Sequence, residues 1–446
     1  MFYRDIEVDL LKWKNSDDRK PLILRGARQV GKTTVVNNFS KQFDSYICLN
    51  LEKSEHKQIF ENNKDINTIV DAIFFLGKKQ KNKSTLIFID EIQNSHAAIA
   101  LLRYFYEEYP KLFVIAAGSL LETLLDTHIS FPVGRVEYLA LRPCSFNEFL
   151  LATGNQMAAE LRKQYPFPDY AHDELLKLFN RYALIGGMPA ALKKYVQYQD
   201  LTRLNAEYQS LIVGYADDVE KYAIKNSSAR YIRHIINTGF SSASQRIKFE
   251  RFGNSEYHSR EMAEAFRILE KTMLLELVYP SNSVQLPIIA DYSKSPRLHW
   301  LDTGLVNYVA KIQTEVFESK DISSAWRGLI AEHIVGQELI ANNNDVRHHR
   351  AFWVRNAKNS NAEIDYLIQF KNNIIPIEVK SLAGSSLKSL HQFMTVTSHD
   401  IAIRIWSKPF SIDMIKLDSG KTFRLINIPF YLSSEIERIL EQIIKS

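Results

Sequence analysis

The chain has 446 residues, a formal charge of +5 and a pI near 8.8, with 46% apolar and 24% charged residues. That length exceeds one ordinary hydrophobic core, so two or three domains are expected. Two distant cysteines, Cys48 and Cys144, exclude a disulfide framework, and the small positive excess permits nucleic-acid contact without requiring it.

The opening "MFYRDIEVDLLKWK" carries Arg4, Asp5 and Glu7 within its first turns, unlike a secretory leader. The most apolar stretch, "LFVIAAGSLLETLL", is interrupted by Gly118, Ser119 and Glu122, well short of a bilayer span. A cytoplasmic protein without membrane contact is expected.

The first strong element is "PLILRGARQVGKTTVVNNF". Leu22 to Leu24 read as a buried parallel strand, and Val35, Val36 and Phe39 as the inner face of a following helix. Between them the segment Gly26, Ala27, Arg28, Gln29, Val30, Gly31, Lys32, Thr33 fits G-x-x-x-x-G-K-[ST], with Thr34 next. Glycines at these places let backbone amides turn inward around a β-phosphate at the positive end of a helix. Lys32 then reaches the β- and γ-phosphates of ATP, and the Thr33 hydroxyl ligates Mg²⁺.

A second acidic element follows in "STLIFIDEIQN", where the run Leu86 to Ile89 ends in Asp90-Glu91. A carboxylate at the C-terminal end of a buried strand stands where open α/β sheets bind ligands. Asp90 is expected to hold Mg²⁺ through water, and Glu91 to polarise the attacking water. The third run, "KLFVIAAGS", ends in Ser119, a candidate sensor of the γ-phosphate. In "FPVGRVEYLALRPCSFNEFL", Arg135 follows a glycine turn and is a candidate for stabilising transition-state charge, in cis or from a neighbouring copy.

The ordered series "GARQVGKTT", "LIFIDEIQ", "AAGS", "VGR", "LRPCSFNEFL" and "YALIGGMPAAL" resembles the bacterial and archaeal AAA-type ATPases that join a P-loop domain to a C-terminal domain of unknown function. The resemblance runs through nearly the whole chain, "RLHWLDTGL" included, and its most specific part is Gly186-Gly187-Met188-Pro189. It implies ATP binding and hydrolysis, and AAA-type domains often act between copies, so a homo-oligomer is among the expected partners. The sequence departs from the pattern in one respect. No second sensor arginine stands out in the lid, where Arg181 is the nearest arginine.

From about Leu201 to Pro280 the pattern is helical, with Met262, Phe266, Leu269 and Met273 at three- and four-residue steps, then a short strand in "LLELVYP". Helices followed by a small hairpin are consistent with a winged-helix module, which would make DNA a partner; Arg246, Lys248 and Arg251 precede the helix. A helical connector with a solvated basic face is the alternative.

Near the end, "AEIDYLIQFKNNIIPIEVKS" reads as two strands around a polar turn. Glu378 and Lys380 are two apart and share a face, and pairing across the turn brings Asp365 near Glu378. Two carboxylates and a lysine then converge, as in D-x(n)-E-x-K nucleases, where the carboxylates bind Mg²⁺ or Mn²⁺. In "SAWRGLIAEHIVGQELIAN", Trp326, Leu329, Ile330 and Ile334 share one arc of a helix. Glu332 lies about 60° from Leu329 and about 20° from Leu339 on a helical wheel, inside the apolar sector. It is therefore a fourth candidate member of a second metal site, and a salt-bridged cluster without cleavage is the alternative.

The fold expected is α/β: a parallel AAA-type P-loop NTPase domain with a small lid (1–195), a helical or winged-helix-like connector (196–315) and a nuclease-like α/β domain of PD-(D/E)XK type (316–446). Three functions remain open on sequence alone. They are an ATPase controlling a DNA-engaging module, an ATP-gated nuclease, and a non-catalytic nucleotide-dependent switch or scaffold.

Overall fold

A computed structural model describes residues 2–62, 65–81, 84–118, 132, 134–218, 226–311, 328–356, 362–380 and 387–445. The apolar runs of the N-terminal part become five strands: β1 Leu22–Arg25, β2 Ser45–Asn50, β3 Thr85–Asp90, β4 Phe113–Ala117 and β5 Glu137–Ala140. All pairs are parallel, in the order β2-β3-β4-β1-β5. Every residue of β3 is buried, as a strand covered on both faces requires. One face packs Ile47, Ile87 and Ile89 on helix residues Ile69, Ile73 and Phe105; the other packs Leu24 and Phe88 on Leu10, Val36 and Phe39.

The middle of the chain is helical at Asn205–Asp217, Asn226–Thr238 and Ser259–Lys271. Met262, Phe266 and Leu269 of the last helix are buried, while Met273 falls beyond its end at φ 60°. After it come β6 Leu275–Val278, β7 Pro280–Ser281 and β8 Arg297–Trp300, with β6 and β8 paired antiparallel.

The C-terminal sheet comprises β9 Ala351–Val354, β10 Glu363–Phe370, β11 Asn373–Val379, β12 Ile401–Trp406, β13 Ser411–Lys416 and β14 Thr422–Pro429, in the order β13-β14-β12-β11-β10-β9-β7. It is mixed, with β10 antiparallel to β11 and β11 parallel to β12. Its edge strand β7 comes from well ahead of residue 316, through pairing of Pro280 with Phe352 and Ser281 with Trp353. One apolar cluster also runs from Cys144 through Trp300 to Ile443. Residues 195 and 315 therefore do not separate independent cores.

Close backbone approach explains Gly186-Gly187-Met188-Pro189. A Cβ on Gly187 would stand 2.2 Å from the Cys144 carbonyl oxygen. Without it, the Cys144 amide donates to Gly187 O at 2.7 Å, and the Gly187 amide donates to Asp302 Oδ2 at 2.5 Å. Pro189 then opens the next helix, Pro189–Tyr198, at a position that needs no amide donor.

Helix Leu329–Ala341 is buried on nearly every side. Its Glu338 Oε1 accepts the Phe146 amide at 3.1 Å, at the start of helix Phe146–Ala152, and the Tyr182 hydroxyl at 2.8 Å. Burial pushes the Glu338 carboxyl up to about 7, with Arg162 opposing. A pKa raised from 4.5 means that the folded chain holds this proton more tightly than the unfolded chain. The contribution is complete below the unfolded value and is lost as pH rises through about 7. Glu338→Gln keeps an acceptor and removes the proton, so its stability is expected to fall less than wild type between pH 5 and pH 8 in urea denaturation. Parallel pH profiles would contradict this account of Glu338.

Candidate functional site

The first site is built where β1 and β3 end. Gly31, at φ 98°, turns the chain into helix Lys32–Phe39, whose first amides have no partner within the helix. A Cβ on Gly26 would meet the Leu141 carbonyl at 2.4 Å, so the loop can pass this segment only as glycine. Lys32 Nζ lies inside the loop and donates to Gly26 O and Ala27 O, both at 2.9 Å. Burial pushes its pKa down to about 8, with Glu91 and then Asp90 opposing.

Thr33 Oγ1 donates to Asp90 Oδ2 at 2.8 Å, across the end of β4, which lies between β1 and β3. Burial raises the Asp90 pKa, while the Thr33 hydrogen bond lowers it. Glu91 follows at φ 52°; its amide donates to Asp90 Oδ1 at 3.1 Å and its carboxylate accepts Gln93 Nε2 at 2.5 Å. A hydroxyl and a carboxylate in contact beside a lysine and a helix start supply the hard oxygen donors and positive field that Mg²⁺ and a polyphosphate need. The residues present therefore fit nucleotide with Mg²⁺.

The loop is gripped from outside. Arg4, buried, donates from Nη1 to Val30 O at 3.0 Å, from Nη2 to Arg142 O at 2.6 Å and from Nε to Glu148 Oε2 at 2.9 Å. Glu148 also closes the capping box of helix Phe146–Ala152 with Ser145. On the other side Arg28 pairs with Asp218, and the Tyr215 hydroxyl donates to Arg28 O at 3.1 Å.

Ser119 lies outside the described residues. Arg135 is not near the phosphate loop. It precedes β5, whose first residue Glu137 pairs with Leu22 at the start of β1, so it stands at the opposite end of the sheet. There it is exposed and bonds Glu107 Oε1 at 3.1 Å.

Residues 18–150 match the family described as an AAA domain. These residues form an AAA-type P-loop domain. Residues 176–316 and 327–423 match two families described only as domains of unknown function, DUF8612 and DUF4143. No curated protein matches the chain. Among solved structures, the Walker-type ATPase of Pyrococcus abyssi is 15% identical, with 70% of this chain and 96% of that chain covered at a TM-score of 0.47. The RuvB Holliday junction branch migration motor of Thermotoga maritima is 13% identical, covering 62% and 90% with a TM-score of 0.29. The Aeropyrum pernix ORC1 protein, solved in complex with DNA, is 10% identical, covering 72% and 95% with a TM-score of 0.27. Among the described residues, no helix is long and apolar enough to cross a membrane.

The second cluster lies in the C-terminal sheet. β10 and β11 pair with Tyr366 opposite Ile377, which sets Asp365 opposite Glu378 one step further on. Asp365 Oδ2 accepts the Val379 amide at 2.8 Å, and Lys380 Nζ lies 2.5 Å from Glu378 Oε1. Glu332, on helix Leu329–Ala341, is partly buried beside them. Burial, then repulsion from Asp365, pushes the pKa values of Glu332 and Glu378 upward.

The centre of this cluster is occupied by Arg297 of β8. Its guanidinium lies 3.4 Å from Glu332 Oε2 and 3.4 Å from Asp365 Oδ1, and donates from Nε to Glu363 Oε1 at 2.8 Å. Among the described residues, no group of three or more histidine, cysteine or carboxylate side chains is placed to hold a metal ion. Here the expected second metal site differs from the structure: a guanidinium sits where the carboxylates converge. The sequence does not reveal Arg297, because β8 is a local strand of the connector and only packing carries it to the cluster, where Glu363 at the start of β10 also meets it.

Removing a largely buried cation from among three carboxylates costs up to about 3–5 kcal/mol, the range for a fully buried pair. Arg297→Ala is therefore expected to lower the melting temperature strongly, with partial recovery in millimolar Mg²⁺ or Mn²⁺. An unchanged melting temperature would contradict the central role given to Arg297.

Proposed function

We propose that this chain is a Mg²⁺-dependent ATPase of the cytoplasm whose nucleotide state is transmitted to a nuclease-like C-terminal module that engages DNA. The observation that carries this reading is the 2.8 Å contact between Thr33 Oγ1 and Asp90 Oδ2 beside the buried Lys32 ammonium. Bound Mg²⁺ supplies charge neutralisation at the phosphates. Thr33 and Asp90 hold it, and the amides from Gly26 to Thr34 wrap the phosphate oxygens. Lys32 exchanges the carbonyls of Gly26 and Ala27 for those oxygens. Glu91 orients the attacking water once Gln93 releases its carboxylate. In this reading Ser119 senses the γ-phosphate, and Arg135, remote from the loop of its own chain, serves a neighbouring copy in a homo-oligomer.

Transmission is supported by what touches the loop. Lys32 moving toward phosphate frees two loop carbonyls. The neighbouring Arg28 and Val30 are tied to Asp218, Tyr215 and Arg4, and so to the connector and to helix Phe146–Ala152. Glu338 carries that contact into helix Leu329–Ala341, which also bears Glu332.

DNA cleavage at the C-terminal cluster is a second reading, favoured by Glu378 Oε2, buried and without a hydrogen-bond partner among the described residues. It requires Arg297 to yield to a metal ion. Lys32→Ala is expected to reduce ATP turnover at least about 100-fold, through loss of a transition-state contact worth about 3 kcal/mol. Undiminished turnover in that variant refutes the ATPase reading. Metal-dependent cleavage of DNA that disappears in Asp365→Ala would establish the second reading; absence of cleavage by wild type with Mg²⁺ or Mn²⁺ removes it.

A further inference from the structure

A cavity of about 250 Å³ lies where the P-loop domain, the connector and the C-terminal segment meet. Its lining combines basic groups, Arg25, Arg142, Arg347 and His348, with apolar ones, Met273, Leu301, Ile340 and Val346. We propose that this cavity binds a small organic phosphate of about nucleotide size, separately from the phosphate loop.

Arg142 is half-buried in the cavity wall, and its side chain's hydrogen bonds are two long ones, to Asn343 O at 3.3 Å and Asp345 O at 3.4 Å. Among the described residues, no carboxylate lies within ion-pair distance of it. Two carboxylates do line the cavity, and both are engaged. Glu276 accepts the Arg350 amide at 2.8 Å and receives its guanidinium at 2.6 and 3.0 Å. Glu270 Oε1 accepts the Leu277 amide at 2.8 Å. Lys271 adds a further cation to the wall.

A half-buried guanidinium answered only by two long carbonyl contacts is under-satisfied, and an anion with several acceptor oxygens would complete it. Burial lowers the pKa of Arg142 to about 10; Glu276 opposes this, and Arg350 and Arg25 add to it. Phosphate chemistry fits an arginine wall better than a carboxylate alone, because three oxygens can serve diverging guanidinium groups. The apolar wall adds the second requirement, a body beyond the phosphate. The volume, near the lower end of ligand pockets at about 300 Å³, limits that body to one small molecule.

The site abuts the phosphate loop without overlapping it. Arg25 is the last residue of β1, directly before Gly26, and Arg142 O accepts Arg4, whose neighbouring nitrogen holds Val30 O.

The test is calorimetry on the full chain with AMP and, in a parallel arm, inorganic phosphate. One AMP per chain is expected to bind wild type and Lys32→Ala alike. Binding should weaken at least tenfold in Arg142→Gln and measurably in Arg347→Glu, an exposed position that leaves the fold intact if Arg142→Gln does not. Inorganic phosphate should bind at least tenfold more weakly than AMP. No AMP binding to wild type, equal affinity in both cavity variants, or loss of binding in Lys32→Ala overturns the proposal; phosphate binding as tightly as AMP overturns the role of the apolar wall. Should the ATPase reading itself fail, ATP turnover is absent while AMP binding persists.

Discussion

The architecture turns on one hydrogen bond between residues 57 positions apart, Thr33 Oγ1 to Asp90 Oδ2. It can form only because β1 and β3 run parallel with β4 between them, so that both strands end at the same edge of the sheet. The helix after β1 then begins directly over the carboxylate that closes β3. Burial makes the contact matter: Asp90 is 6% and Lys32 7% exposed, so each charge depends on a partner rather than on water. A polyphosphate with its cation is a natural third member of that group.

Helix Leu329–Ala341 is the other strut. Its Glu332 faces Arg297 and the carboxylates of the C-terminal sheet, while Glu338 holds the start of helix Phe146–Ala152. Glu148 of that helix meets Arg4, and Arg4 meets the phosphate loop. The joints at Glu338, Glu148 and Arg4 each have a buried partner, where loss of either partner leaves an uncompensated polar group. Such joints favour a change of arrangement over gradual bending, as the proposed transmission from the phosphate loop would require. The carboxylates and the ammonium in the last hairpin also gain a structural account. They are neutralised largely within the protein, with Arg297 as the central cation and Lys380 beside Glu378.

Much of this was legible where function is written locally. The phosphate loop announces itself because glycine spacing, lysine and hydroxyl must be consecutive to surround a phosphate. The strand-ending carboxylate of β3 follows from an unbroken apolar run that stops at Asp90, and the shared face of Glu378 and Lys380 from a period of two residues. Glu332 was found by its place on a helical wheel. Arg297, Glu363, Glu338 and Arg4 were not found, because each gains its role from a partner far along the chain: Arg4 and Glu148 are 144 positions apart. Arg135 shows the converse. Its position after a glycine turn suggested a phosphate contact, yet parallel topology carries it to the far end of the sheet. The small β7 edge strand leaves no signal in the sequence, since two residues carry no periodicity.

Binding of a slowly hydrolysed ATP analogue, titrated with and without Mg²⁺ into wild type and Asp90→Asn, tests the central claim most directly. The account predicts tight binding to wild type that depends on Mg²⁺, with that dependence greatly reduced in Asp90→Asn. Equal affinity in all four titrations, or no binding to wild type at all, would contradict it.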